Sequence, residues 1–400
     1  MRKDDAVSTE TPLVLRGRLV TPRGVVDDGA VVVDDATIVW VGPAAGLPRG
    51  WSLPEPTDVT LLPGLVDLHC HGGGGASFPD AVDASDARRA VDEHRRHGTT
   101  SLVASLVTAA PDVLLERTAV LAGLADAGEI VGIHLEGPFL STVRCGAQNP
   151  ADMRAGDPLL VRRIAQAARG HLVTMTVAPE VPGFDDVLDA LVDVGAVPSI
   201  GHTDATAEQV DEAVDRGFDL LAARSNRRLT ATHLFNGMRP LHHRDPGPVA
   251  ACLAAAARGE LVVELVADGT HLADGTVRSV FDLVGAGSIA LVTDAMAAAG
   301  MPDGEYRLGP MDVRVADGVA RVADEGGAIA GGVAHLLDVV RHVVAAGIPL
   351  ADAVLSAASV PADVLGRRDL GALAAGRRAD VVVTDHGLAP LRVMRAGVWV

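Results

Sequence analysis

His69 and His71 close an apolar run that begins at Thr60 and reads TLLPGLVDLHCH. Side chains alternate faces along a strand, so both imidazoles point one way while Cys70 points the other. Two neutral imidazoles offered from one strand end can hold a divalent cation, provided other segments supply the remaining ligands. His-x-His alone is weak evidence for that chemistry. Its weight comes from what stands at the ends of the other apolar runs.

Eight such runs follow one another, at 61–68, 100–107, 130–135, 172–178, 197–201, 229–234, 261–267 and 289–293. They are mostly apolar rather than strictly alternating, which suits parallel strands buried on both faces. Helical-period segments at 84–97, 111–127, 184–195 and 207–217 lie between them. Strands alternating with helices in this way predict an α/β fold, a (β/α)8 TIM-type barrel. Polar residues gather where the runs end: His69 and His71 after the first, His134 and Glu136 after the third, Glu180 after the fourth. His202 with Asp204, His233 with Asn236, Asp268 with His271, and Asp294 follow the fifth to eighth. A barrel of this type builds its active site at the C-terminal strand ends. His69, His71, Glu136, His202, His233 and Asp294 are therefore the expected metal ligands. Imidazole and carboxylate donors suit zinc, iron or manganese in a site with an open position for water. The competing reading makes each a hydrogen-bonded polar group in the barrel mouth; that six of them track strand ends argues against it.

Two segments fall outside the barrel. Residues 13–41 carry short strands broken at Arg23-Gly24, Asp27-Asp28-Gly29 and Asp34-Asp35, and 379–400 reads as two strands around Asp385-His386-Gly387. We expect residues 1–58 and 370–400 to form a small composite β-sandwich domain and 59–369 the barrel, with a β insertion at 305–325 turning at Asp317-Gly318. A formal net charge of −18 disfavours a nucleic-acid partner, which wants a basic face. The three cysteines, Cys70, Cys145 and Cys252, are widely spaced and odd in number, which fits a reducing compartment. The N-terminus runs into no apolar signal segment, and no apolar stretch reaches the roughly 20 residues of a spanning helix. A cytoplasmic protein with no membrane partner is expected.

The segments GIHLEGPF (132–139), GHTDA (201–205), THLFNGM (232–238), ADGTH (267–271), VTDAM (292–296) and IAGG (329–332) carry a resemblance. Together with the opening His-x-His, they resemble the N-acetylglucosamine-6-phosphate deacetylase branch of the amidohydrolase superfamily, over essentially the whole chain. Many superfamily members bridge two metals with a carbamylated lysine. The one lysine here is Lys3, in the N-terminal tail, so the resemblance implies Glu136 in that role. It also implies one or two divalent metals per subunit, zinc first, with iron, manganese or cobalt as alternatives. The activity implied is attack of metal-activated water on the acetamide of N-acetylglucosamine 6-phosphate, with Asp294 as general base and then general acid.

Substrate contacts implied by the resemblance are Ala147, Gln148, Asn236, Gly237, Arg244, Asp268, His271, Ile329, Ala330 and Gly331. Arg244, in LHHRDPG (241–247), is the phosphate candidate beside His242 and His243, since a guanidinium matches phosphate with paired donors. His134 either assists at the carbonyl or packs behind Glu136. Gln148 stands where many members carry a histidine, and Gly332 where the family's AGS has serine. A homodimer is implied as well. Alternative readings are a deacylase of N-acetylgalactosamine 6-phosphate or of an N-acyl amino acid, and a non-catalytic barrel kept as a scaffold.

Overall fold

The computed structural model describes residues 12–225, 227–323 and 327–400. The first eleven residues of the expected terminal domain, Lys3 among them, and positions 324–325 of the expected insertion lie outside the described residues. Eight parallel strands pair in chain order: Leu65–Cys70, Thr99–Leu106, Gly132–Glu136, Leu172–Val177, Val197–Ile200, Leu229–Ala231, Leu261–Leu265 and Ile289–Leu291. Closure comes just past the strand ends, where Cys70 bridges Ala295 in parallel register. There His71 N–H donates to Ala295 O at 2.7 Å and Asp294 N–H to His69 O at 2.9 Å. The result is the barrel the alternating runs predict.

Helices cover the outside, and Ala207–Arg224 shows how the sequence sets one of them. Thr206 and Gln209 form a capping box that satisfies the first free backbone N–H groups. Val210, Ala213, Val214, Gly217 and Leu221 then bury a stripe at spacings of three and four. With helices on its outer face, a strand such as Thr99–Leu106 is buried at every position, which is why its sequence does not alternate.

The apolar run expected to be one strand over 61–68 is two. Thr60–Pro63 belongs to a seven-stranded sheet built from both termini, pairing parallel with Leu13–Thr21 and antiparallel with Val381–Thr384. Only Leu65–Cys70 enters the barrel. Gly64 is the pivot: a Cβ there would lie 2.1 Å from Thr100 Oγ1 and 2.6 Å from Asp380 Cβ. Both halves are equally apolar because both are buried, so hydrophobic pattern could not separate them. Leu19, Val31, Ile38, Leu61, Val381 and Met394 form the core of the terminal sheet. Asp380 accepts from Thr100 Oγ1 at 2.8 Å and Arg378 donates to Ser101 Oγ at 2.7 Å, tying that sheet to the second barrel strand.

The insertion is a three-stranded antiparallel sheet of its own, Gly304–Leu308, Met311–Ala316 and Val319–Val322. It packs Leu308, Val313, Val315, Ala320 and Val322 onto Val107, Met296, Ala297 and Ala330 at the barrel mouth. A methyl group at the pivot has no room, so Gly64→Ala is expected to destabilise the protein by about 1–3 kcal/mol. The check is a lower urea midpoint with an unchanged m-value.

Candidate metal centre

Four imidazoles and two carboxylates converge at the C-terminal end of the barrel. Glu136 ends the third strand and is only 3% exposed. Its Oε1 lies 2.8 Å from Nε2 of both His202 and His233. Its Oε2 lies 3.2 Å from His71 Nε2 and 3.8 Å from His69 Nε2. Asp294 Oδ1 stands 3.4 Å from His69 Nε2 and 3.3 Å from His71 Nε2, and those two nitrogens are 3.0 Å apart. Two adjoining triads result, His69–His71–Asp294 and Glu136–His202–His233, each with its ligand atoms within 4.8 Å of one another. Donor atoms around a tetrahedral zinc stand roughly 3.3 Å apart, so each triad is spaced to grip one ion. The Glu136 carboxylate reaches both.

The far ring nitrogens are held as a metal-ligating histidine requires. His69 Nδ1 lies 3.3 Å from Glu264 Oε2, His71 Nδ1 3.2 Å from Ser105 O and His202 Nδ1 2.8 Å from Arg144 O. Donation to these oxygens puts the proton on Nδ1 and leaves each Nε2 lone pair facing the carboxylates. His233 Nδ1 is buried without a partner among the described residues. Imidazole and carboxylate donors fit zinc, iron or manganese.

Backbone strain concentrates at the same residues. His202, His233 and Asp294 have φ of 46°, 30° and 47°, left-handed values that cost a non-glycine residue about 1–3 kcal/mol. The chain must leave the strand abruptly at each to turn its side chain into the mouth. Close backbone packing holds these turns. Gly332 N–H donates to Asp294 O at 2.7 Å, and Met296 N–H to Gly332 O at 2.9 Å. A Cβ at Gly332 would sit 2.4 Å from Thr293 O, so glycine suits this clamp on the Asp294 turn. A Cβ at Gly237 would lie 2.8 Å from His202 Nδ1.

Burial alone would raise the carboxyl of Glu136, but His202, His233 and His69 hold it well below the usual range. Asp294 is lowered in the same way, with burial opposed and outweighed by His69 and His71. Burial opposes charge on His69 and His71 too; Asp294 and Glu136 nonetheless push both up. The pocket thus holds ionised carboxylates balanced by protons, which a divalent cation can replace.

Beside the triads lies a cavity of about 270 Å³, lined by Gly146, Ala147, Gln148, Asn236, Gly237, His271, Leu308, Ala328, Ile329 and Gly331 as well as by five of the six candidate ligands. His69, the sixth, is buried beneath. Gly146, Leu308 and Ala328 were not anticipated; Leu308 arrives from the insertion, which no sequence spacing connects to the barrel mouth. Three anticipated contacts do not line the cavity. Ala330 is wholly buried in the core under the insertion. Asp268 stands behind His271, its Oδ2 2.9 Å from His271 Nδ1. Arg244 is exposed on a surface loop, its Nη1 2.8 Å from His243 Nε2.

His134 is committed at both nitrogens, 3.0 Å from Ser105 Oγ and 2.8 Å from Thr176 Oγ1, so it packs behind the ligands. Gln148 donates from Nε2 to Glu136 Oε2 at 2.6 Å and accepts from Thr108 N–H at 2.7 Å. Sequence reasoning missed two buried carboxylates. Glu264 orients His69, while Asp67 accepts from Thr293 Oγ1 at 2.6 Å and joins strands one and eight. Burial pushes Asp67 up to about 6. The available signal was a single acid inside an otherwise apolar strand, since such a group is buried only with partners.

The sequence profile of the amidohydrolase family matches residues 60–400. A curated N-acetylglucosamine-6-phosphate deacetylase of Lysinibacillus sphaericus is 36% identical over 346 residues, 84% of each chain. An N-acetylgalactosamine-6-phosphate deacetylase of Escherichia coli O157:H7 is 34% identical over 383 residues, 94% of this chain and 96% of that protein. Among solved structures, a mutant N-acetyl-D-glucosamine-6-phosphate deacetylase of Mycobacterium smegmatis in complex with N-acetyl-D-glucosamine 6-phosphate superposes with a TM-score of 0.90. It is 42% identical, and the match covers 98% of this chain and 99% of that one.

Replacing Glu264 by Gln removes the charge that orients His69. It should weaken metal binding at the His69–His71–Asp294 triad by about 10–100-fold while leaving the fold intact. Chelator competition followed by metal analysis, with circular dichroism as the folding control, measures this.

Proposed function

The chain belongs to the amidohydrolase family, and from that premise we propose that it hydrolyses N-acetylglucosamine 6-phosphate to glucosamine 6-phosphate and acetate. The observation that carries the proposal is the pair of triads sharing Glu136 beside a cavity large enough for a sugar. The names of the relatives supply the substrate class.

His69, His71 and Asp294 would hold one divalent cation and Glu136, His202 and His233 a second, with zinc the first choice and iron, manganese or cobalt as alternatives. When bound, the metal supplies an activated water and an electrophile for the acetamide carbonyl. The rest is the chain's own work. Asp294 is kept ionised by His69 and His71 and faces the cavity, so it can take the water's proton and pass it to the sugar nitrogen as the C–N bond breaks. Gln148 holds the Glu136 carboxylate, and Glu264 holds the ring of His69. His271, with its Nδ1 held by Asp268, offers its other nitrogen to a sugar hydroxyl. Asn236, Gly237, Ala147, Ile329 and Gly331 shape the wall around the sugar.

Arg244 stands outside the cavity of its own chain, so our reading gives it to the phosphate of a substrate bound in a second copy, within a homodimer. The three cysteines are free, which accords with a cytoplasmic setting. No helix among the described residues is long and apolar enough to cross a membrane. A second reading, hydrolysis of the galactosamine epimer, is favoured by the coverage of the Escherichia coli relative.

A panel of phosphorylated and unphosphorylated N-acetyl hexosamines, assayed for acetate release, decides between the two; better turnover of the galactosamine ester would overturn the first. Asp294→Asn should cut kcat by about 10²–10⁴-fold with little change in thermal midpoint. Arg244→Ala should raise KM at least about tenfold for the phosphorylated sugar and leave the unphosphorylated one unaffected; equal effects on both would remove Arg244 from phosphate recognition.

A further inference from the structure

A second cavity, also of about 270 Å³, lies on the far side of the insertion's first turn. Leu308 lines the metal-centre cavity, whereas its neighbours Arg307 and Gly309, with Pro310, line this one. A single turn thus forms part of the wall of both. The opposite wall is Val113, Leu114 and Arg117 from helix Pro111–Asp126, with Leu106 and Val107 beneath.

The charged groups of this wall are unequally committed. Asp80 Oδ2 accepts from Ser77 Oγ at 2.5 Å and from Gly309 N–H at 3.1 Å, while Asp152 Oδ2 accepts from Asn149 Nδ2 at 2.7 Å. Among the described residues Arg307 has only long contacts, 3.4 Å to Gly309 O and 3.9 Å to Asp312 Oδ1. Arg117 makes no hydrogen bond or ion pair among the described residues, and its Nε is buried without an acceptor. The guanidinium of Arg117 lines the cavity with no partner of its own among the described residues, so its terminal N–H donors can pair with a planar anion. The remaining lining is aliphatic, so the complementary ligand joins an anionic head to an apolar body.

We propose that this cavity is a second binding site, specific for small organic carboxylates with a hydrophobic body. The carboxylate bonds Arg117, and the apolar part packs against Val107, Val113 and Leu114. The site is independent of the proposed activity, although its occupant would brace the turn that carries Leu308 over the metal centre.

Phenylacetate is a suitable probe, titrated calorimetrically into the metal-loaded full-length protein with and without saturating glucosamine 6-phosphate. One molecule should bind per chain whether or not the amino sugar is present. The uncharged phenylacetamide should bind at least about tenfold more weakly, and Arg117→Met should lose about the same factor for phenylacetate. Acetate-releasing activity, which Arg117 does not serve, reports that the variant is folded. Val113→Trp, which fills the cavity without touching the charge, should abolish binding and gives an independent variant should Arg117→Met fail to fold. Absence of binding at several millimolar, displacement by glucosamine 6-phosphate, or equal affinity in either variant would overturn the proposal.

Discussion

One carboxylate holds the barrel mouth together. Glu136 presents Oε1 to His202 and His233 and Oε2 to His71, so strands one, three, five and six must end within about a single ligand shell of each other. A buried carboxylate tolerates this only if its charge is balanced, by imidazolium protons or by a cation. The far nitrogens of three of the four histidines meet oxygens that fix their rings, and Gln148 takes a remaining lone pair of Glu136. Loosening any one of these leaves a buried charge without its partner.

The surrounding fold is arranged to keep that constellation in place against strain. Three candidate ligands sit in left-handed backbone conformations, and the carbonyl of each accepts a backbone N–H, from Ser141 at His202, from Asn236 at His233 and from Gly332 at Asp294. Behind the ligands a connected set of hydroxyls runs from His134 Nε2 to Thr176 Oγ1 at 2.8 Å, on to Thr232 Oγ1 at 2.7 Å and to Ser199 Oγ at 2.6 Å. Buried polar groups that satisfy one another in this way rigidify a core. The terminal sheet grips the second barrel strand at its other end, through Asp380, Arg378 and the pivot at Gly64. Rigidity suits a site whose chemistry depends on geometry to within a fraction of an ångström.

Much of this was legible before any coordinates. The unbroken apolar character of the runs follows from burial on both strand faces, so it reports a parallel barrel directly. Local polarity then marks strand ends: His69 and His71 share a face by alternation, and His202, His233 and Asp294 each stand just where a run stops. The boundary at Gly64 was not legible, because two strands in different sheets share one apolar run when both are buried. Glu264 and Asp67 also escaped, being set inside strands, where an acid looks like an interruption until its partner is known.

What the sequence determined by itself is the set of local patterns: which segments are buried strands, which helices cover them, and which side chains with metal-binding chemistry lie at strand ends. Those properties depend on near neighbours in the chain and on burial, so residue type and spacing encode them. The tertiary structure alone decided how near Glu136 stands to each triad, that Leu308 of the insertion lines the cavity, and that Arg244 stays outside it. Each of these is a distance between segments remote in sequence. Such distances are set by barrel closure and by how the insertion and surface loops pack, and no local pattern records them.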